Sequence, residues 1–139
     1  MSWIDYVNTL VDGTVCTDCA IYALAAPHGV WAAYPGGGFA SLTSQELACL
    51  VSKDRSPLFI NGLVLGGQKC SVLRDLWFDD SQMCLDARTK STDGGATYNI
   101  HIIRSNQAIF ILKAGDNVHG GQLNQKVYDT IKYLRNVGY

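Results

Sequence analysis

Apolar residues recur at helical spacing near both ends of the chain and gather in short strand-like runs between them. Ser2, followed three residues later by Asp5, marks a helix start. In that helix Ile4, Val7 and Val11 form one stripe suited to burial, and Trp3, Tyr6 and Leu10 form the neighbouring stripe. A helix with two apolar stripes either packs against two elements or keeps one for a partner. Gly13 supplies a stop. β-prone runs follow at 20–25 and 30–34, broken by Pro27-His28-Gly29, and then a loop at Pro35 and Gly36 to Gly38. Thr43 with Glu46 forms a second capping pair, and Leu42 can staple onto Leu47, so a short helix should run to about Ser52.

After the turn Lys53-Asp54-Arg55 the pattern becomes mostly β. Runs at 58–60 and 63–65 flank Asn61-Gly62, a hairpin signal. Further strands are expected at 69–73, 83–87, 98–103 and 108–114. In the 98–103 run Tyr98, Ile100 and Ile102 alternate with Asn99, His101 and Ile103. The last helix carries Leu123, Val127, Ile131 and Leu134 on one face. Helix, strands, helix, many strands and helix in that order predict an α+β fold, an antiparallel sheet covered by helices in one domain over 1–139.

Composition narrows the class. Hydrophobic residues make up 47% of the 139 positions and charged ones 17%, which predicts a packed core rather than disorder. A formal net charge of −1 offers no global attraction for nucleic acid, so anion binding must come from a local cluster. The opening Met-Ser-Trp-Ile-Asp has neither a basic segment nor a long apolar run, so no signal peptide or membrane span is expected. Five cysteines without framework spacing (Cys16, Cys19, Cys49, Cys70, Cys84) fit free thiols in a reducing compartment. Cys16-Thr-Asp-Cys19 has C-x-x-C spacing. It reads either as a thiol redox pair or as two small residues at a helix-to-strand turn.

Enzyme motifs fail. No G-x-S-x-G accompanies His119-Gly120-Gly121, and 66–71 lacks the spacing of a phosphate loop. The three histidines have no metal-ligand spacing, and the single glutamate, Glu46, is already used as a cap, so neither a catalytic residue nor a metal or cofactor is expected. Two features remain. Trp3, Tyr6, Tyr133 and Tyr139 place rings in both terminal helices, either as core and lid or as a flat strip for a polyproline II ligand, which loses little entropy on docking. Lys69, Arg74, Arg88 and Lys90 cluster on the middle β-runs, either as solvated edge charge or as a face for an acidic protein surface or phosphate groups. Leu76-Trp77-Phe78-Asp79-Asp80 reads as a loop anchored in the core, or else as an exposed partner contact.

Several motifs, in order along nearly the whole chain, resemble the profilin family in its vertebrate form. They are Trp3-Ile4-Asp5-Tyr6-Val7, Val30-Trp31-Ala32-Ala33, Lys53-Asp54-Arg55, the stretch from Asn61-Gly62-Leu63 to Gly66-Gly67-Gln68-Lys69-Cys70-Ser71-Val72, Leu85-Asp86-Ala87-Arg88-Thr89-Lys90-Ser91 and Val118-His119-Gly120-Gly121. The resemblance implies a central antiparallel sheet with the N- and C-terminal helices on one face and a shorter helix on the other. It implies a cytoplasmic, cytoskeleton-associated monomer without nucleic-acid partners. That protein would bind monomeric actin and regulate its polymerisation, bind proline-rich proteins such as filament-assembly factors, and bind phosphoinositide lipids.

The implied proline-rich site is Trp3, Tyr6, Trp31, Tyr133 and Tyr139, with Tyr133 standing where the family often has His. The implied actin face is Ile60, Lys69, Ser71, Arg74, Arg88, Lys90, Thr97, Asn99, Val118, His119, Gly121, Asn124, Tyr128 and Asp129. Phosphoinositide candidates are Lys69, Arg74, Arg88, Lys90, Arg104 and Arg135. Gln82 and Gln125 are neutral where vertebrate members carry an acid and a lysine, and Asp129 is one methylene shorter than the usual Glu. The alternative is therefore an adaptor for proline-rich or phosphoinositide ligands with weak or lost actin binding.

Overall fold

The computed structural model describes residues 2–91 and 93–139. Helix α1 (Trp3–Leu10) leads into strands β1 (Cys16–Ala23) and β2 (Val30–Ala33), then helices α2 (Ser44–Val51) and α3 (Ser56–Asn61). Strands β3 (Leu63–Leu65), β4 (Gln68–Leu76), β5 (Cys84–Thr89), β6 (Asn99–Arg104) and β7 (Ala108–Ala114) precede helix α4 (Gly120–Asn136). The seven strands form one sheet in the order β2-β1-β7-β6-β5-β4-β3. Every neighbouring pair is antiparallel. No described helix is long and apolar enough to cross a membrane.

Two apolar layers hold the sheet. On one face Val7 and Leu10 of α1 and Leu123, Val127, Ile131 and Leu134 of α4 close over Cys84, Ile103, Phe110 and Leu112. On the other face Leu47 and Leu50 of α2, Leu58 of α3, Phe39 and Trp77 cover Leu85, Ile100, Ile102 and Ile111. The layers explain why β6 and β7 read as apolar runs. Both of their faces are buried, so alternation is lost. The expected face of α4 is the buried one. In α1 the buried residues are Val7 and Leu10, while Ile4 is exposed, so the first expected stripe is rotated by about one position. The second layer also holds two short helices rather than one.

The largest correction concerns 58–62. Pro57 lies in the first turn of α3, which replaces the expected strand at 58–60, and Gly62, at φ +75°, ends it. Asn61-Gly62 is thus a helix terminus and not a hairpin turn. The hairpin lies further on. Leu65 pairs with Gln68, and Gly66 and Gly67 between them have φ of +60° and +80°, as a two-residue type I′ turn requires. Glu46 ties this turn to α2, since its carboxylate accepts the N–H groups of Thr43 (3.0 Å), Gly66 (3.1 Å) and Gly67 (3.1 Å). The sole glutamate caps a helix and holds the hairpin that carries Lys69.

Another carboxylate fastens α1 to α4. Asp12 accepts the N–H groups of Thr14 (2.9 Å) and Cys16 (3.1 Å) and pairs with Lys126 at 3.0 Å. The Thr14 bond, the largest effect, together with the weaker ones of Cys16 and Lys126 outweighs desolvation and holds its carboxyl well below the usual range. A depressed folded-state pKa stabilises the fold above the unfolded carboxyl's pKa, and that contribution fades as pH falls through the folded value. Asp12→Ala should lower the melting temperature at neutral pH by about 3 °C, from a loss of about 1 kcal/mol. Thermal melts across pH should show the gap to wild type shrinking from about pH 4 downward.

Candidate functional site

The aromatic residues of the two ends meet. Trp3 is at the centre, with ring centroids 4.7 Å from Trp31, 5.7 Å from Tyr6 and 5.6 Å from Tyr139. Tyr6 rests edge-on against buried Phe110 at 6.5 Å, so the strip has a rigid floor. Trp3, Tyr6, Tyr133, Leu134, Val137 and Tyr139 line a groove of about 250 Å³. Tyr133 and Tyr139 are about half exposed at 57% and 46%, while Trp3, Tyr6 and Trp31 are partly buried. Large rings held this rigidly yet open to solvent are suited to stacking on a ligand.

Tyr139 is held in place by residues the sequence reading did not single out. The β6–β7 turn grips the last residues of the chain: Ser105 Oγ and the Gln107 N–H both donate to the Tyr139 main-chain oxygen, and Gln107 Nε2 donates to Gly138 O at 2.9 Å. Asn106 Nδ2 reaches Arg135 O at 3.3 Å. Full burial of the Ser105 hydroxyl-bearing residue within a polar Ser-Asn-Gln turn is visible only in three dimensions.

A second surface lies where the helices stop. α1 packs on β1 and β2, and α4 lies over β6 and β7 and reaches Cys84 at the start of β5, leaving the Arg88 end of β5 and the neighbouring part of β4 open on that face. Register aligns Ser71 with Arg88 and Arg88 with Asn99, a polar row across three strands. Arg88 is held extended by Thr97 Oγ1 (2.8 Å) and Asn99 Oδ1 (3.3 Å), and Asn99 Nδ2 in turn donates to Val118 O at 2.9 Å. Arg88, Thr97, Asn99, Val118 and His119 share a cleft of about 440 Å³. Lys69 and Lys90 are adjacent through the Lys90 N–H to Lys69 O bond, and Arg74 reaches Asp86 at 3.0 Å. The capping residue of α4 is His119, and Gly121, Asn124, Tyr128 and Asp129 follow along that helix. Ile60 stands apart at the end of α3 with 78% exposure.

The profilin family model matches residues 1–139. Over 137 residues the chain is 42% identical to profilin-1 of Mus musculus, covering 99% of this chain and 98% of that protein. The chain belongs to the profilin family. Profilin-2 of Rattus norvegicus is likewise 42% identical over 137 residues, with the same coverage. Among solved structures, mouse profilin IIa in complex with a double repeat from the FH1 domain of mDia1 superposes with a TM-score of 0.93 at 41% identity, over the full length of both chains. Human profilin II gives 0.91 at 42% identity, covering 97% of this chain and 99% of the other. Acanthamoeba castellanii profilin IB, at 20% identity and a TM-score of 0.74, shares the fold, with 99% and 100% of the two chains covered. Profilins are non-enzymatic actin-binding proteins.

Within this profilin fold the six phosphoinositide candidates divide into two groups. Lys69, Arg74, Arg88 and Lys90 lie together on the open sheet face. Arg104 and Arg135 sit at the opposite end of the strands and serve the fold. Arg135 donates to the main-chain oxygens of Arg104 (2.8 Å) and Gln82 (2.9 Å), and Arg104 donates to Trp77 O at 3.0 Å. Burial lowers the pKa of both guanidinium groups. The core anchor of the 76–80 segment is one of its two aromatic residues. Trp77 is buried at 1% exposure, whereas Phe78 is half exposed between the guanidinium groups of Arg55 (5.3 Å) and Arg104 (5.7 Å). Cys16 and Cys19 lie within β1 and not at a helix-to-strand turn, and both are buried. Burial pushes the Cys16 thiol up to about 11 and the Cys19 thiol well above the ordinary thiol value, so neither supplies a thiolate near neutral pH. Among the described residues no group of three His, Cys, Asp or Glu side chains could hold a metal ion.

Proposed function

We propose that the chain binds one actin monomer on the open face of β4–β6 and the start of α4, regulates actin polymerisation, and binds proline-rich segments in the aromatic groove between α1 and α4. The observation that carries this reading is the separation of two different surfaces on one sheet. One is polar, basic and left uncovered by the helices. The other is a ring cluster drawn from both ends of the chain. The mouse profilin IIa complex with FH1 repeats supports the proline half, because those repeats are proline-rich and this chain superposes closely on that protein.

In the groove, Trp3, Tyr6, Trp31, Tyr133 and Tyr139 would stack on prolines while indole N–H and phenol O–H groups bond the ligand's carbonyls. On the sheet face, Ser71, Arg74, Arg88, Lys90, Thr97, Asn99, His119, Asn124 and Tyr128 would supply directional polar contacts around Val118 and Gly121, with Ile60 as an outlying apolar contact. Lys69 would form the rim, and Asp129 lies where α4 turns from this face toward the aromatic groove. A protein seated there would cover one end of the actin monomer, blocking spontaneous nucleation while allowing addition at a growing filament end. Phosphoinositide headgroups would contact Lys69, Arg74, Arg88 and Lys90, and so would compete with actin. Arg104 and Arg135 do not join that patch. The site of action is the cytoplasm, in association with the cytoskeleton.

A second reading, an adaptor that has lost actin, rests on Gln82 and Gln125, both exposed and neutral. Titration of labelled monomeric actin at low and high salt separates the two. Micromolar affinity that weakens with salt supports the actin face, and absence of binding by a folded sample leaves the adaptor.

A further inference from the structure

The aromatic groove does not end at Tyr133. A second groove of about 370 Å³, lined by Tyr6, Asp129, Thr130 and Tyr133, adjoins the first and shares Tyr6 and Tyr133 with it. Asp129 precedes Tyr133 by four residues, so it stands one helical turn further along the same face of α4, about 5.4 Å on. Its carboxylate is exposed and, among the described residues, has no ion-pair partner. The nearest preceding lysine on α4, Lys126, is neutralised by Asp12 at 3.0 Å. A free carboxylate therefore flanks two tyrosine rings at the end of a strip suited to proline.

We infer that Asp129 sets the sequence preference of the groove, selecting proline-rich segments with an arginine beside the proline run. This rests on the proposed proline-binding reading. A polyproline II ligand advances about 3.1 Å per residue, so a side chain one or two positions past the last stacked proline spans the turn from Tyr133 to Asp129. Arginine fits the surroundings better than lysine. Its planar guanidinium stacks on tyrosine while pairing with a carboxylate through two N–H groups, which an ammonium cannot reproduce. An acidic flanking residue would meet Asp129 with like charge and be rejected.

The test compares capped oligoprolines of equal length, neutral or carrying Arg, Lys, Gln or Glu at either end, titrated by intrinsic tryptophan fluorescence. The expected result is an affinity for one Arg-flanked peptide roughly three- to ten-fold above the Gln-flanked one, with Lys intermediate and Glu weakest. The advantage should disappear at high salt, and Asp129→Asn should bring the Arg- and Gln-flanked peptides to the same affinity while Asp129→Glu retains the difference. Equal binding of all flanked peptides by the wild-type chain, or a preference that survives Asp129→Asn, overturns the inference. Failure of the neutral oligoproline to bind at all would instead remove the proline-binding reading, and this inference with it.

Discussion

Trp3→Ala should lower the affinity for an oligoproline by about thirty-fold or more, the size expected when a central aromatic anchor is removed. Among the described residues Trp3 is the only ring within 6 Å of Tyr6, Trp31 and Tyr139 together, so its loss removes a stacking surface and the neighbour that orients three others. Calorimetric titration checks the affinity, and the same preparation should bind actin as wild type does. Because Trp3 packs against the first core layer, part of the effect could come from a loosened α1. Tyr133→Ala separates the two causes. That side chain is 57% exposed, so its removal should weaken proline binding several-fold while shifting the melting temperature little. Wild-type proline affinity in both variants would end the claim that this groove is the site.

Arg88→Glu should weaken monomeric actin by about thirty-fold or more and leave oligoproline affinity unchanged. Reversal is used because removing a rim charge alone costs only about 1 kcal/mol or less, whereas a charge placed against its like also repels. Arg88 is already extended by Thr97 and Asn99, so actin would meet a side chain that gives up little freedom on binding. The substituted glutamate would lose both bonds and face Asp86 across the sheet surface, two residues back on the same strand. Lys90→Glu, beyond the end of β5, should reduce actin affinity in the same direction by a smaller factor. Loss of both actin and proline binding in Arg88→Glu would indicate a damaged fold.

The sequence carries the architecture better than its details. The capping pairs at Ser2 and Thr43 and the Leu123–Leu134 stripe depend on local spacing, and each lies where that spacing places it. Asn61-Gly62 misleads because glycine at positive φ serves a helix end and a hairpin turn equally, and it is Pro57 in the first turn that favours the helix. Ile4 and Trp3 compete for the core, and the winner depends on where β1 and β2 lie. The ring cluster is legible because aromatic residues crowd both ends, but the Ser105-Asn106-Gln107 clamp holding Tyr139 acts through main-chain atoms about thirty residues away. Arg104 and Arg135 look like the other cations until their partners, backbone carbonyls, are seen.

The central claim is that one chain holds actin and a proline-rich ligand at the same time on separate faces. Sedimentation velocity of labelled monomeric actin with this protein, without and with saturating oligoproline, tests it most directly. The expected result is an actin–protein complex that persists and takes up the oligoproline as a three-component species. Release of free actin on adding the oligoproline, or no complex with actin at the outset, would contradict it.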